Sequence, residues 1–293
     1  MSNINHLYLI DGSGFLFRAF FAQMRNRERM RRSDGTPTNA VFIFTKMLLK
    51  LINDTEADHI AVVFDTKRQT FRNNIYPEYK ANRDSPPDDL IPQFPLVRDA
   101  TRALNVMSVE LEGYEADDLI ATYARQATEC DAKTTIVSSD KDLMQLICDN
   151  VVMMDPMKNT QIHSAQVVEK FGVAPSKVID VQALAGDSTD NVPGIRGVGI
   201  KTAAQLINEY GTLDNLLERA NEIKQPKRRE ALIEEADMAR LSRELVTLKD
   251  DVPVTVPLSD FAVKKPDPDT IFKFLHEQDF QSLISVIEGK YGM

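Results

Sequence analysis

Residues 7–13 read LYLIDGS, a short apolar run followed by an aspartate and a glycine. Residues 61–65, AVVFD, repeat the apolar run and the aspartate at its end. Short buried strands bounded by turn residues have this pattern. Applied along the first half of the chain, it predicts the strands Leu7–Ile10, Ile60–Phe64, Val106–Val109, Thr134–Val137 and Val151–Met154.

Helical patterns separate these predicted strands. Thr38 is placed to cap a helix with one apolar face, and Ala116–Thr128 predicts another helix. The apolar residues of the two helices are Ala40, Phe44, Met47, Leu48 and Leu51 in the first, and Leu119, Ile120 and Tyr123 in the second. Strands that alternate with helices indicate an α/β fold, a mostly parallel central sheet flanked by helices. After about Gln166 the strand pattern stops, and the rest of the chain is predicted to be helical.

Nine acidic side chains lie in motifs at or just past the ends of apolar runs, where strands are predicted to end. Ligands of open α/β sheets bind outside the carboxyl ends of the strands, so these carboxylates are expected to converge. Two carboxylates about 4 Å apart repel by roughly 4 kcal/mol at an effective dielectric constant near 20. Oxygen ligands suit hard cations, so the sequence predicts a site for two or more Mg²⁺ or Mn²⁺ ions. The acids are Asp11, Asp65, Glu115, Asp117, Asp118, Asp140, Asp142, Asp187 and Asp190.

Composition limits the class of protein but leaves the partner open. The net charge of −9, from 35 basic and 44 acidic side chains, argues by itself against a nucleic-acid partner. Basic side chains are nevertheless concentrated at residues 18–32 and 66–83, and such runs either attract phosphates or form a solvated surface. No apolar stretch approaches the ~20 residues that span a bilayer, so no membrane partner is expected. Cys130 and Cys148 are interpreted as reduced, partly buried thiols of a cytoplasmic protein.

The connection at residues 69–100 is polar, rich in proline and long for a compact domain, which is typical of a functional or a disordered loop. Its aromatic rings can stack on bases and its cations can hold phosphates. The two tyrosines also fit core positions at helical spacing, and that alternative stays open. The candidate contacts are Arg72, Tyr76, Tyr79, Lys80 and Arg83.

Residues 191–201 read NVPGIRGVGIK and precede a predicted helix, Thr202–Glu209. Glycines just before a helix expose backbone N–H groups at its positive end, which favours phosphate binding. The same glycines also fit tight packing, so the motif by itself is not specific.

Taken in order, the motifs resemble the 5′-nuclease domain of bacterial DNA polymerase I, which belongs to the flap endonuclease family. They read DGSGFLFRAF, VFD, TFRNNIYPEYKANR, GYEADDLIATYA, IVSSDKDLMQL and GDSTDNVPGIRGVGIKTA, and the resemblance runs from about Leu7 to about Glu288. It implies a PIN-like nuclease core at residues 1–170, with a helical arch at about 69–100. It also implies a C-terminal helical subdomain of helix–turn–helix type that binds DNA, at residues 171–293.

The resemblance implies that two ions hydrolyse phosphodiesters at 5′ flaps, nicks and ends of DNA, and in RNA primers, during replication and repair. The acids that would serve the ion nearer the scissile phosphate are Asp11, Asp65, Glu115, Asp117 and Asp118. Those that would serve a second ion, some through water, are Asp140, Asp142, Asp187 and Asp190. Lys80 and Arg83 match the catalytic cations of the arch.

The resemblance also implies DNA contacts outside the metal site. Arg18 matches a phosphate contact after the first acidic motif, and Gly197, Gly199, Lys201 and Thr202 match contacts to the duplex backbone. In the family the latter element also holds a monovalent ion such as K⁺. The expected protein is a monomer of the bacterial cytoplasm, associated with the nucleoid, with a polymerase domain in the same chain or in another. The segment Gln23–Gly35 is longer and more basic than its counterpart in the family.

Two alternative functions belong to other classes. A DNA-binding module without catalysis would clamp junctions, but it has no reason to keep nine mutually repelling acids. A metal-dependent phosphatase for small molecules would also use aspartates at strand ends. It would act on an aryl phosphate without DNA, and the two basic runs and the GIRGVGIK motif count against it.

Overall fold

The computed structural model describes residues 4–22, 30–66, 69–156 and 158–291. Its strands are β1 His6–Asp11, β2 His59–Val63, β3 Met107–Val109, β4 Lys133–Val137, β5 Val151–Asp155 and β6 Thr160–Ile162. Its helices are α1 Gly12–Ala22, α2 Asn39–Asp54, α3 Phe71–Ile75, α4 Gln93–Ala103, α5 Ala116–Glu129, α6 Ser164–Phe171, α7 Val178–Ala185, α8 Ile200–Tyr210, α9 Leu213–Glu218, α10 Pro226–Glu234, α11 Ala236–Val246, α12 Pro268–Glu277 and α13 Gln281–Tyr291.

The six strands form one sheet in the order β3-β2-β1-β4-β5-β6. The five predicted strands are present and pair in parallel, whereas β6, which was not predicted, pairs antiparallel with β5. The chain moves from β1 to β2 and β3 on one side, and then returns to β4 and β5 on the other. The strand order therefore reverses between β1 and β4, the place where open α/β sheets bind their ligands.

Two apolar layers cover the sheet, because successive side chains of a strand point to opposite faces. Leu7 and Leu9 of β1 join the layer that contains α5 and the helices α7 and α8, whereas Ile10 joins the layer of α1, α2 and α4. Leu119, Ile120 and Tyr123 are buried as predicted. The core thus holds the carboxyl ends of β1 and β4 in fixed register, with Ile10 opposite Val137.

The first turn of α2 differs from the sequence-based expectation. Thr38 occupies the N-cap position, but its side chain accepts no hydrogen bond from the helix. The Oε1 atom of buried Gln93 instead accepts from the backbone N–H groups of Ala40 at 2.9 Å and Val41 at 3.1 Å. A glutamine from α4, which is distant in sequence, therefore satisfies the donors that a local cap was expected to satisfy.

The last two helices do not stay with the helical C-terminal part. Ile271 and Leu275 of α12, and Leu283 and Ile287 of α13, are buried in the same layer as α2 and α4 of the core. The helices at residues 171–293, where one subdomain was expected, therefore pack in two groups. The helices α7 to α11 pack together, whereas α12 and α13 pack in the layer that contains α2 and α4.

Some sequence-based expectations concern smaller features. Both cysteines are free and exposed, whereas partly buried thiols were expected. Arg25, Arg27 and Arg29 of the basic segment, and Lys67 and Arg68 of the second basic run, lie outside the described residues. None of the helices in the described parts of the chain is long and apolar enough to cross a membrane.

Candidate metal centre and nucleic-acid interface

Asp11 lies at the end of β1 and is held by hydrogen bonds at the start of α1. Its Oδ1 accepts from the backbone N–H of Gly14 at 2.7 Å, and its Oδ2 accepts from the Ser138 hydroxyl just after β4, at 2.9 Å. A side chain at position 14 would collide with the Asp11 carboxyl group, so a glycine allows this close approach. The contact with Ser138 ties the ends of β1 and β4 together at the switch point.

The start of α5 brings three acids to the same edge. Glu115 is the N-cap residue, and Asp117 and Asp118 occupy the first turn, where the helix dipole favours negative charge. The exposed Asp65, which follows β2, accepts from the backbone N–H of Ala116 at 2.9 Å. All four acids therefore lie at the start of α5, but Asp118 is fully buried whereas Asp65 is exposed.

Asp118 faces the interior and pairs with Arg72. The two guanidinium nitrogens Nη1 and Nη2 of Arg72 donate to Asp118 Oδ2 and Oδ1, each at 2.7 Å, and both side chains are almost fully buried. The same guanidinium donates to the carbonyl groups of Leu245 at 2.8 Å and Thr247 at 3.0 Å, at the end of α11. Asp118 also accepts from the backbone N–H of Lys249 at 2.9 Å. The pair therefore joins α3, α5 and the segment after α11.

This geometry corrects two expectations. Arg72 was expected to contact DNA, but its side chain is 1% exposed and its donors are used inside the protein. Asp118 was expected to serve an ion, but each of its oxygens already accepts two hydrogen bonds, the fourth of them from the backbone N–H of Glu115. Their motifs did not reveal this pairing, because the two residues are 46 positions apart.

The second group of acids approaches the cleft from two different elements. Asp140 and Asp142 follow β4, and the backbone N–H of Asp142 donates to Asp140 Oδ1 at 2.9 Å. Asp187 and Asp190 were expected to follow a strand, but the structure places them after α7. Glu115, Asp117, Asp142, Asp187 and Asp190 line one cleft.

Cations of the chain pair with several of these acids. Lys80 Nζ lies 2.7 Å from Glu115 Oε1 and 3.6 Å from Asp190 Oδ2, and Arg83 also pairs with Asp190. Lys141, which lies between Asp140 and Asp142 in sequence and was not predicted as a site residue, contacts Asp187 Oδ2 at 2.6 Å. These internal pairs neutralise part of the acidic charge within the protein itself.

The segment that carries Lys80 is attached to the loop after α7. Lys80 has a left-handed backbone conformation with φ of 57°, and its N–H donates to the carbonyl of Asp190 at 2.9 Å. The Asn82 amide donates to the carbonyl of Ser188, and the Asn191 amide donates to the carbonyl of Glu78, each at 2.7 Å. The connection at 69–100 therefore contains the short α3, turns and the first part of α4, and its turns hold two cations over the cleft.

Negative charge remains concentrated in the cleft in spite of these pairs. Burial, and then the neighbouring Asp140, Asp11 and Asp65, raise the pKa of Asp117 well above its ordinary value. The donors are all oxygen atoms, and a hard divalent cation would relieve the repulsion, so this set fits Mg²⁺ or Mn²⁺. Within the described ranges, however, no three potential ligands are close enough to hold an ion as they stand. Ion binding would therefore require some of these carboxylates to move closer together.

The pKa shifts predict how ion binding depends on pH. Burial, with Asp65 beside Asp11 and Asp140 beside Asp142, raises the pKa of each of these two carboxyl groups to about 6. Protons compete with the ion below this value, so the affinity for Mn²⁺ should rise as the pH increases through about 6, with release of protons on binding.

The same raised pKa also affects the stability of the metal-free fold. This stability should fall as the pH rises from 3.8, the pKa of the carboxyl group in the unfolded chain, to about 6, because the unfolded chain loses its protons first.

Calorimetric Mn²⁺ titrations from about pH 5 to about pH 8, in buffers with different ionisation enthalpies, measure both the affinity and the proton release. An affinity that does not change over this range would contradict the prediction.

The aromatic candidates for DNA contact are largely inside the protein. Tyr79 is 5% exposed, packs with Val192 and Leu245, and donates its hydroxyl to Glu115 Oε2 at 3.3 Å, so the core alternative holds for this residue. Tyr76 is half-buried against the same cluster.

Arg18, the other candidate for a phosphate contact, forms an ion pair with Asp155 at 3.0 Å, and it also contacts Ser139.

The loop at residues 191–201 leads into α8, and the backbone N–H groups of Val192, Gly194 and Ile195 donate to acceptors inside the protein. Gly197 and Gly199 are exposed, and the buried Val198 between them anchors the loop. Gly197 has a φ of 75°, a conformation that glycine adopts without strain. Lys201 is exposed in the first turn of α8, and Thr202 is half-buried beside it. The helix begins at Ile200, two residues before the predicted start.

Comparison with known proteins identifies the family. The model of the 5′-3′ exonuclease N-terminal resolvase-like domain matches residues 6–172, and that of the 5′-3′ exonuclease C-terminal SAM fold matches residues 173–269. The chain belongs to the 5′-3′ exonuclease family. The family and the fold class predicted from the motifs are thus confirmed.

Two curated relatives match nearly the whole chain but differ in their own length. It is 53% identical over 290 residues to DNA polymerase I of Rhizobium leguminosarum. The matched region is 97% of this chain but 28% of that protein. It is 37% identical over 282 residues to a 5′-3′ exonuclease of Aquifex aeolicus, and this matched region is 96% of this chain and 95% of that protein. The chain therefore spans less than a third of the polymerase relative and nearly all of the exonuclease relative.

Solved structures share the fold at low sequence identity. The flap endonuclease of bacteriophage T5, in a complex with DNA and metal ions, has a TM-score of 0.70 and 21% identity, over 97% of this chain and 100% of that one. The T5 5′-exonuclease with bound zinc has a TM-score of 0.70 and 22% identity, over 95% of this chain and 99% of that one.

Proposed function

We propose that the chain is a structure-selective 5′ nuclease that hydrolyses phosphodiesters of DNA, and of RNA primers, at 5′ flaps, nicks and ends. The observation that carries this proposal is the cleft at the switch point, where carboxylates converge under the two cations Lys80 and Arg83. Oxygen ligands for a divalent ion and cations for a phosphate therefore lie within one site. Family membership supports the same activity.

We assign the ion ligands to the acids that line the cleft or its edge, with Mg²⁺ as the ion. The set is the predicted one without Asp118: Asp11, Asp65, Glu115, Asp117, Asp140, Asp142, Asp187 and Asp190. Bound ions would supply an activated water molecule and would stabilise charge on the attacking and leaving oxygens. Gly14 and Ser138 hold the Asp11 carboxylate in place, and the backbone N–H of Ala116 holds that of Asp65.

Lys80 and Arg83 are proposed to bind the scissile phosphate. In the structure the Lys80 side chain pairs with Glu115, and that of Arg83 pairs with Asp190. A phosphate entering the cleft offers the two cations another anionic partner, and the freed carboxylates can then accept an ion. Substrate binding and ion binding should therefore favour each other, since both relieve the same internal pairs.

The duplex next to the cut is proposed to bind the loop at residues 191–201 at the exposed Gly197 and Gly199, with Lys201 and Thr202 as phosphate contacts and a K⁺ ion held by loop oxygens. Arg18 and Tyr76 remain proposed DNA contacts. Contacts of this type read the backbone and not the bases, so selectivity should be for the shape of the junction. A polymerase domain, in the same chain or in another, is proposed as a partner with the polymerase relatives as support. A monomeric state is proposed as well.

The test of the function uses a 5′-labelled flap duplex and a linear single strand of the same sequence, each with Mg²⁺ and with EDTA. Cleavage at the flap junction that requires Mg²⁺ and spares the single strand is the expected result. Tight binding of the flap without cleavage would contradict the nuclease function and would favour a DNA-binding module without catalysis. Hydrolysis of an aryl phosphate without DNA would favour the phosphatase.

Lys80→Ala should reduce kcat for the flap about 10²- to 10³-fold, because an ordered cation at the reacting phosphate acts mainly in the transition state. The Kd for the flap in the absence of metal should change only a few-fold. Lys201→Ala, which removes an exposed cation that does not line the cleft, is the control and should weaken binding more than it lowers kcat. Rapid-quench single-turnover rates and fluorescence anisotropy measure the two quantities, and equal losses of both in Lys80→Ala would contradict a catalytic role.

A further inference from the structure

Gln182 of α7 is a buried polar side chain that contacts one of the proposed ion ligands. It is 1% exposed, and its Nε2 donates to Asp142 Oδ1. Its Oε1 is also buried, and among the described residues it has no hydrogen-bond partner. The assignment of the two ends of the amide follows from the contact, because a carboxylate accepts and only the amide nitrogen can donate to it.

The packing of α7 does not explain a glutamine at this position. The neighbouring Val178, Val181, Ala183 and Leu184 are all buried, and the helix packs against α8 and α11. A buried amide oxygen without a partner costs about 1–3 kcal/mol, whereas a leucine of similar volume would avoid that cost. The glutamine is therefore explained by its contact with Asp142 and not by the stability of the core.

Other contacts of Asp142 fix its backbone but not its carboxyl group. Its N–H donates to Asp140 Oδ1 at 2.9 Å, and its carbonyl accepts from Gln145 Nε2 at 2.9 Å. Lys141, the nearest cation in sequence, is directed to Asp187 at 2.6 Å. In the described part of the chain, Gln182 supplies the side-chain hydrogen bond that orients this carboxylate.

We propose that Gln182 is a positioning residue: by holding Asp142 Oδ1, it directs the other carboxylate oxygen of Asp142 towards a divalent cation in the cleft. This inference rests on the proposed metal site. Because α7 leads directly into the loop that carries Asp187 and Asp190, the same helix would set the positions of three acids of the site. Outer-sphere partners of this kind typically change metal affinity by about 10- to 100-fold when they are removed.

The test compares Gln182→Leu with Gln278→Leu as a matched control. Gln278 lies at the end of α12, is 4% exposed, and also has a buried Oε1 without a partner among the described residues. Mn²⁺ binding to the DNA-free protein, followed by calorimetry or by electron paramagnetic resonance, is the main readout. The melting temperature without metal and the Mg²⁺ dependence of flap cleavage are measured on the same proteins.

Gln182→Leu should raise the Mn²⁺ dissociation constant about tenfold and should leave the metal-free melting temperature unchanged or higher. Its kcat at saturating Mg²⁺ should stay within about threefold of the wild-type value, since a positioning residue acts on occupancy. Gln278→Leu should bind Mn²⁺ like the wild type.

Unchanged Mn²⁺ affinity in Gln182→Leu, or a weaker affinity that accompanies a lower metal-free melting temperature, would overturn the positioning role. Failure of the proposed function looks different, because the wild type itself would then neither bind Mn²⁺ nor cleave the flap. In that case both proposals fall together.

Discussion

Asp118→Ala is expected to lower the free energy of unfolding by about 3–5 kcal/mol, because it leaves the Arg72 guanidinium buried without its anionic partner. Each oxygen of Asp118 accepts two hydrogen bonds, and Arg72 also holds the end of α11 through two carbonyl groups. Losing the carboxylate therefore loosens the attachment of α11 to α5. Urea denaturation of the metal-free protein measures the change.

The matched variants are Arg72→Met and the double change Asp118→Ala with Arg72→Met. The double variant should lose less stability than the sum of the two single losses, because no uncompensated charge remains. Cleavage should fall in Asp118→Ala in proportion to the folded fraction. An Asp118→Ala protein as stable as the wild type, but unable to bind Mn²⁺, would show that Asp118 is an ion ligand after all.

Asp117→Ala is expected to have the opposite effect on stability and a larger effect on catalysis. Burial and three neighbouring carboxylates raise the pKa of Asp117, so removing its charge should make the metal-free protein more stable near pH 8. If Asp117 helps to hold the ion, cleavage should fall about 10³-fold or more, which corresponds to about 4 kcal/mol of transition-state stabilisation. DNA binding without metal should persist or improve, since a charge that repels phosphate is gone.

Asp117 and Asp118 are adjacent in sequence, which makes each variant the control for the other. Thermal melting with and without Mg²⁺, together with single-turnover cleavage, separates the two effects. Asp117→Ala should lose the stabilisation that Mg²⁺ gives to the wild type, whereas the folded fraction of Asp118→Ala should keep it. Wild-type cleavage rates in Asp117→Ala would contradict its assignment as an ion ligand.

Local patterns were sufficient for the strands and for the position of the site. The five apolar runs became parallel strands, and the acids of the motifs at residues 11, 65, 115–118, 140 and 142 follow strands or begin α5 at one edge of the sheet. The strand β6 was missed, because its sequence TQI is mostly polar and exposed and contains no apolar run. The acids at 187 and 190 were placed after a strand, although a helix precedes them, since a short buried helix and a buried strand give similar apolar runs.

The partners of buried polar groups were not predictable in the same way. Arg72 was classed with the DNA contacts because its motif is basic and aromatic, yet its partner Asp118 lies in another motif. Gln93 caps α2 from α4, and Gln182 holds Asp142 from α7. Such contacts depend on which elements pack together, and no local signal marks them apart from a polar residue on a buried face.

The sequence by itself determined the alternation of strands and helices, the convergence of carboxylates at the strand ends and the family, because each follows from short-range pattern or from the order of motifs. Only the tertiary structure decided which of those carboxylates face the cleft and which are neutralised inside the protein. It also decided that Lys80 pairs with Glu115 and Arg83 with Asp190. The physical reason is that the energy of a charge depends on its burial and on its neighbours in space, and these are set by the packing of distant segments.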